Sequence, residues 1–68
     1  MNIILAILLY LNVISPNNTY FSSYIDAQDE IYSVQIEQIE DDPVQMGVVD
    51  DIYMPEVPTI VIVIDNGG

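Results

Sequence analysis

The apolar run IILAILLYLNVI at residues 3–14 decides which folds are open to this chain. It carries no charged side chain, and the first charged residue after it is Asp26. As a helix it would extend about 18 Å, which is short of the roughly 30 Å hydrocarbon core of a bilayer. We expect a helix over residues 3–14 that stops at Ser15, because the residue before Pro16 is disfavoured in the helical conformation.

Two roles for this run stay open. An apolar segment of this length near an N-terminus is typical of signal peptides and interfacial anchors. Residues 1–15 are therefore predicted to be a signal-like or anchor-like segment with membrane contact through Ile3–Ile14, which would make the protein membrane-associated or secreted. The same run can instead be the core of a soluble protein. Its apolar side chains surround the whole helix, so periodicity does not separate the two roles.

Every charged side chain of the protein is acidic. Eleven aspartates and glutamates occur without lysine, arginine or histidine, and the formal net charge is −11. Nucleic-acid binding is excluded because nothing can neutralise the phosphates. Cysteine is also absent, which removes disulfides, thiolate ligands and cysteine nucleophiles. We predict a protein that is not an enzyme and has no cofactor, with proteins or divalent cations as its partners.

The rest of the chain divides by composition. Residues 16–30 are predicted to be a polar, turn-rich linker, and residues 31–68 an acidic segment with two strands. The first strand is expected at Ile31–Glu37, where Tyr32, Val34 and Ile36 alternate with polar residues. The predicted fold is a small α+β arrangement with a helix at 3–14, strands near 31–37 and 59–64, a loose acidic middle and partial disorder.

The second strand has the strongest pattern in the chain. Its sequence TIVIVI contains only β-branched residues and no charge, which favours either the centre of a sheet or self-association. Exposed strands of this kind bind other strands through main-chain hydrogen bonds. The predicted interaction residues are therefore Thr59, Ile60, Val61, Ile62, Val63 and Ile64.

Two acidic clusters are candidates for a calcium site. They contain the residues Glu40, Asp41, Asp42, Asp50 and Asp51. Calcium takes several oxygen ligands, often carboxylates, but the spacing of the helix–loop–helix calcium motif does not occur in this sequence. The competing interpretation, solvated charge in a loop, is favoured.

The segment IVIVIDNGG at residues 60–68 resembles the first phosphate-loop strand of the superfamily that contains actins, heat-shock chaperone ATPases and sugar kinases. The resemblance implies that Asp65 would orient a metal-bound water and that Asn66, Gly67 and Gly68 would face a nucleotide phosphate. It covers nine of 68 residues, without a second phosphate loop or an adenosine site. It would therefore mark only a fragment of such an ATPase. A strand followed by an ordinary turn is the competing interpretation.

The function predicted from these patterns is that of a small acidic non-enzymatic protein, membrane-targeted or secreted, that acts by protein–protein or self-association. One alternative is a soluble structural or interaction protein with residues 3–14 as its core. The others are a truncated fragment of an actin-like or sugar-kinase-like ATPase, and a reading frame without an evolved function.

Overall fold

The computed structural model describes residues 2–65, which form a small α+β fold, as predicted. In chain order the elements are helix α1 (Asn2–Tyr10), strand β1 (Thr19–Phe21), helices α2 (Ser22–Ile31), α3 (Ser33–Glu40) and α4 (Pro43–Val48), a π-helical turn (Val49–Tyr53), a 3₁₀ helix (Met54–Thr59) and strand β2 (Val61–Val63).

Helix α1 supplies the centre of the core. Six of the twelve buried apolar side chains found in the described residues lie in this helix or just after it. Five are in the helix, and the sixth is Ile14; the five are Leu5, Ala6, Ile7, Leu8 and Leu9. The helix packs against α2, α3, the π-helical turn and the 3₁₀ helix. Contacts with several elements bury apolar side chains on more than one side of the helix. None of the helices within residues 2–65 is long and apolar enough to cross a membrane.

The helix predicted over residues 3–14 ends earlier, at Tyr10. Asn12 takes a left-handed conformation with φ of 61°. Its N–H donates to the Leu9 carbonyl at 3.0 Å, and the N–H of Val13 donates to the Leu8 carbonyl at 3.0 Å. These two bonds form a Schellman motif, which satisfies the last carbonyls of the helix. Asparagine tolerates the left-handed region better than most residues, so Asn12 and not Pro16 ends the helix.

The prediction of a strand at Ile31–Glu37 is wrong. These residues lie at the end of α2 and in α3, and burial in α3 follows the helical spacing of Ile36 and Ile39. Val34, which belongs to the alternating pattern, is exposed to solvent, as is Ile31. The predicted loose middle and disorder are not confirmed either, because helices α2, α3 and α4 occupy most of residues 22–48.

Helix α4 begins with a side-chain cap. Asp42 accepts hydrogen bonds from the N–H groups of Val44 at 3.0 Å and Gln45 at 3.4 Å, and Pro43 follows it at the start of the helix. Aspartate at this position satisfies amides that have no partner within the helix, and proline needs no donor there. The Gln45 side chain then accepts a hydrogen bond from the Tyr10 hydroxyl at 2.9 Å, which ties α4 to the end of α1.

Strands β1 and β2 form a two-stranded parallel sheet. Thr19 pairs with Val61, Tyr20 with Ile62 and Phe21 with Val63. The strand predicted at residues 59–64 is thus present over Val61–Val63, while Thr59 ends the 3₁₀ helix. The sequence pattern does not predict strand β1, since residues 16–30 have the composition of a polar linker. Parallel pairing requires a long crossover, and α2, α3 and α4 provide it.

Candidate association surface

One face of the sheet is apolar and open to solvent. Thr19, Phe21, Val61 and Val63 point to this face, and we call these four residues the strand surface. Phe21 is 58 % exposed, Val61 54 % and Val63 40 %. Exposed single apolar residues are common, but three that share one face of a sheet form a contiguous patch. Such a patch can bind an apolar partner.

The opposite face holds the sheet on the protein. Tyr20 and Ile62 alternate with the strand-surface residues and pack against the core. The Tyr20 hydroxyl also accepts a hydrogen bond from the N–H of Ser15 at 2.9 Å. Because the inner face is packed, the orientation of the strand surface is set by the fold and does not depend on a partner.

The outer edge of β2 is not paired with another strand among residues 2–65. The N–H of Val61 donates to the Asn18 carbonyl at 3.0 Å, so the hydrogen-bonding groups of Val61 face β1. In a parallel ladder the next residue directs its groups the other way, so the N–H and C=O of Ile62 point to the outer edge. An unpaired edge of this kind is a template for another strand.

The six predicted interaction residues differ in their exposure to solvent. Val61, Val63 and Ile64 are exposed, and Ile64 is 79 % exposed. Ile60 is buried in the core. The Thr59 hydroxyl accepts a hydrogen bond from the N–H of Asn17 at 2.9 Å and donates to the Glu56 carbonyl at 2.7 Å. Three of the six residues are therefore available to a partner through their side chains, and Ile62 contributes its main chain.

Two stacked aromatic residues lie on the packed side of the sheet, opposite the strand surface. Tyr24 stacks on Tyr20, with ring centroids 5.6 Å apart and an angle of 14° between the rings, and Tyr24 stays 40 % exposed. Helix α2 packs against β1, so Tyr24 lies close to the sheet. The clustering of Tyr20, Phe21 and Tyr24 in the sequence was the signal that could have indicated this.

Asp65 follows β2 and is held by the first residues of α2. Its carboxylate accepts hydrogen bonds from the Ser22 hydroxyl at 2.8 Å and from the N–H of Ser23 at 3.0 Å. The Ser23 hydroxyl donates to the other carboxylate oxygen. The hydrogen bonds from Ser23 and Ser22 lower the pKa of Asp65, because they stabilise its ionised form.

The hydrogen bonds of Asp65 can be compared with the role that the phosphate-loop resemblance implies for it. Asp65 serves here as a helix cap, with both carboxylate oxygens engaged by serines. Asn66, Gly67 and Gly68, which the resemblance would place against a phosphate, lie outside the described residues.

The acidic residues proposed as calcium ligands belong to separate helical elements. Glu40 ends α3, Asp41 follows it, Asp42 caps α4, and Asp50 and Asp51 lie in the π-helical turn. Within residues 2–65 no three acidic side chains form a group that could hold a metal ion. The pKa of Asp42 is lowered by hydrogen bonds from the side chain and N–H of Gln45 and from the N–H of Val44.

The geometry can thus serve binding through an apolar sheet face, an unpaired strand edge and a surrounding acidic surface. None of the eleven carboxylates is buried. Comparison of the chain with protein-family models, curated proteins and solved structures found no match.

Proposed function

We propose that this chain is a small acidic interaction protein, without catalytic activity, that associates with other polypeptides through the strand surface and the outer edge of β2. The observation that carries the proposal is the exposure of Phe21, Val61 and Val63 on one face of a sheet whose other face is packed. A patch that is both apolar and held in position loses little conformational entropy when a partner binds.

The outer edge of β2 is the second part of the proposed binding surface. Strand addition forms main-chain hydrogen bonds to an existing sheet edge, while alternate side chains fill the contact surface. Ile62 offers the main-chain groups, and its neighbours Val61 and Val63 offer the side chains. A two-stranded sheet is marginal by itself, so a third strand would stabilise it.

Membrane contact through Ile3–Ile14, and with it a membrane or secreted location, remains a prediction that competes with this one. The buried residues Leu5–Leu9 cannot pack in the core and insert into a bilayer at the same time. Membrane insertion would require α1 to leave the elements it packs against. The burial of α1 therefore favours the alternative in which residues 3–14 are the core of an interaction protein.

The proposed function can be tested by co-purification from the source cells. The wild-type chain, Val61→Lys and Val44→Lys would each be tagged and expressed at the same level. Val44 is 78 % exposed on α4, so its substitution makes the same charge change away from the strand surface. We expect a partner, or an untagged second copy, to co-purify with the wild type and Val44→Lys but not with Val61→Lys.

Two results would contradict the proposal. One is a set of bound proteins that is the same for all three chains. The other is a chain that fractionates with membranes and needs detergent, which would support the anchor function. Absence of the endogenous protein from its cells would instead favour a reading frame without function.

A further inference from the structure

The charge around the strand surface bears on which partner it can accept. Asp26, Asp29 and Glu30 are exposed on α2, the helix that follows β1 directly and packs against it. No lysine or arginine of the chain offsets these carboxylates, so a docked partner would approach a protein of uncompensated negative charge.

A second copy of the chain is disfavoured at this surface. Each copy carries a formal charge of −11 and has no basic side chain to place opposite a carboxylate. Pairing two strand surfaces would bring together two chains of the same large negative charge. Like charges that face each other across an interface oppose binding.

Other partners with negative charge are disfavoured for the same reason. Nucleic acids and anionic lipid headgroups would be repelled by the acidic surface, and the chain has no lysine or arginine to bind their phosphates. The edge of β2 needs a partner that brings cationic groups and also packs beside Val61 and Val63.

We infer that the strand surface binds an extended, basic polypeptide segment in which apolar residues alternate with arginine or lysine. The segment adds as a strand at the edge of β2, where its main chain bonds Ile62. Its apolar side chains lie beside Val61 and Val63 of the strand surface, and its basic side chains are attracted by the formal charge of −11 on the protein. This inference rests on the proposed function and names the chemical class of the partner.

The test uses the full chain and three short capped peptides of equal length, which alternate valine with arginine, with serine or with glutamate. Binding would be followed by fluorescence anisotropy. We expect the arginine peptide to bind with a Kd about tenfold or more below that of the serine peptide, and the glutamate peptide not to bind. Hydrogen exchange at the Ile62 amide should slow in the complex, because strand addition gives that N–H a partner.

Variants with unchanged net charge show where the peptide binds. Val61→Ser and Val63→Ser remove apolar groups from the part of the strand surface that lies on β2, and Val44→Ser removes one from α4. We expect the first two to weaken binding of the arginine peptide by about tenfold, which is typical of central interface residues, and the third to leave the Kd unchanged. Circular dichroism melts would verify that each variant is folded.

Two results would overturn the inference. Equal binding of the arginine peptide by all variants would show diffuse attraction to the acidic surface and no docking on the sheet. Failure of the arginine peptide to bind would also overturn the inference, and sedimentation would then show whether the proposed function still stands. If the chain self-associates and Val61→Ser abolishes this, the proposed function stands with a second copy as the partner. If the chain is monomeric and no partner co-purifies with it, both proposals are contradicted.

Discussion

The Ser22 hydroxyl donates a hydrogen bond to Asp65 across 43 residues of chain, with 2.8 Å between Ser22 Oγ and Asp65 Oδ1. Helix α2 receives no side-chain cap from Phe21, the residue that precedes it. Asp65 supplies this cap from the end of the neighbouring strand. Asp65 therefore caps α2 through the N–H of Ser23 and connects the residues after β2 to the start of α2.

Asp65→Asn should reduce the stability of the protein in a pH-dependent way. The folded-state pKa of Asp65 is lowered, so its contribution is present above the unfolded pKa of about 4 and is lost as the pH falls through the lower folded value. The difference in unfolding free energy between wild type and variant should be largest near neutral pH and shrink in acid. Urea unfolding across this pH range measures it, with Asp29→Asn on α2 as the control. A difference that does not change with pH would contradict the prediction.

Asp42→Ala should destabilise the protein more than Asp41→Ala. The two residues are adjacent and equally charged, but only Asp42 accepts hydrogen bonds from the start of α4. Both variants lose one negative charge, so the difference between their unfolding free energies measures the contribution of the helix cap. Urea unfolding gives the stabilities, and amide exchange at Val44 and Gln45 should accelerate in Asp42→Ala alone. Equal effects of the two substitutions would exclude a capping role.

Leu8→Ala should remove about 2–5 kcal/mol of unfolding free energy, which is the usual range for a fully buried leucine. A protein of this size has little stability in reserve, so the variant should be largely unfolded. The control Val44→Ala changes an exposed residue and should stay within about 0.5 kcal/mol of the wild type.

Deletion of residues 1–15 should abolish the cooperative melt altogether. A cooperative melt of the shortened chain would show that α1 is not needed for the core.

Val61→Lys and Ile62→Pro should each prevent association, and Val61→Lys, which changes an exposed residue, should do so without unfolding the monomer. Lysine at position 61 places a charge on the strand surface, and proline at 62 removes the N–H that faces the outer edge. Val44→Lys makes the same charge change on α4 and should leave association intact. Sedimentation velocity with and without the partner measures this. Assembly that persists in both strand variants would locate the adhesive surface elsewhere, with residues 3–14 as the first candidate.

Acidification should promote self-association. The carboxylates have intrinsic pKa values of about 4, and no basic side chain is available to pair with them. Near pH 4 their mutual repulsion falls, while Phe21, Val61 and Val63 remain exposed. We expect the sedimentation coefficient to rise as the pH approaches 4 and the Phe21→Ser variant to resist this change. A constant particle size from pH 3 to 8 would be inconsistent with strand-mediated contact.

Some features of the fold could be predicted because they depend on local composition. The apolar run forms a helix in its first part, and the TIVIVI segment contains a strand at Val61–Val63. The strand that carries half of the candidate surface was predictable for the same reason, since β-branched residues without charge favour strands wherever they lie. The other half of the site, Thr19–Phe21, was missed because three residues in a polar segment carry too weak a pattern.

The sequence by itself determined the sign of the surface charge, the absence of disulfides and basic side chains, and the apolar run from which a core can form. Tertiary structure decided the rest. It made Ser33–Glu40 a helix against its alternating pattern, because Ile36 and Ile39 reach the core only at helical spacing. It also brought Thr19–Phe21 beside Val61–Val63, because a parallel pair is defined by contacts between distant segments and leaves no local signal in either one.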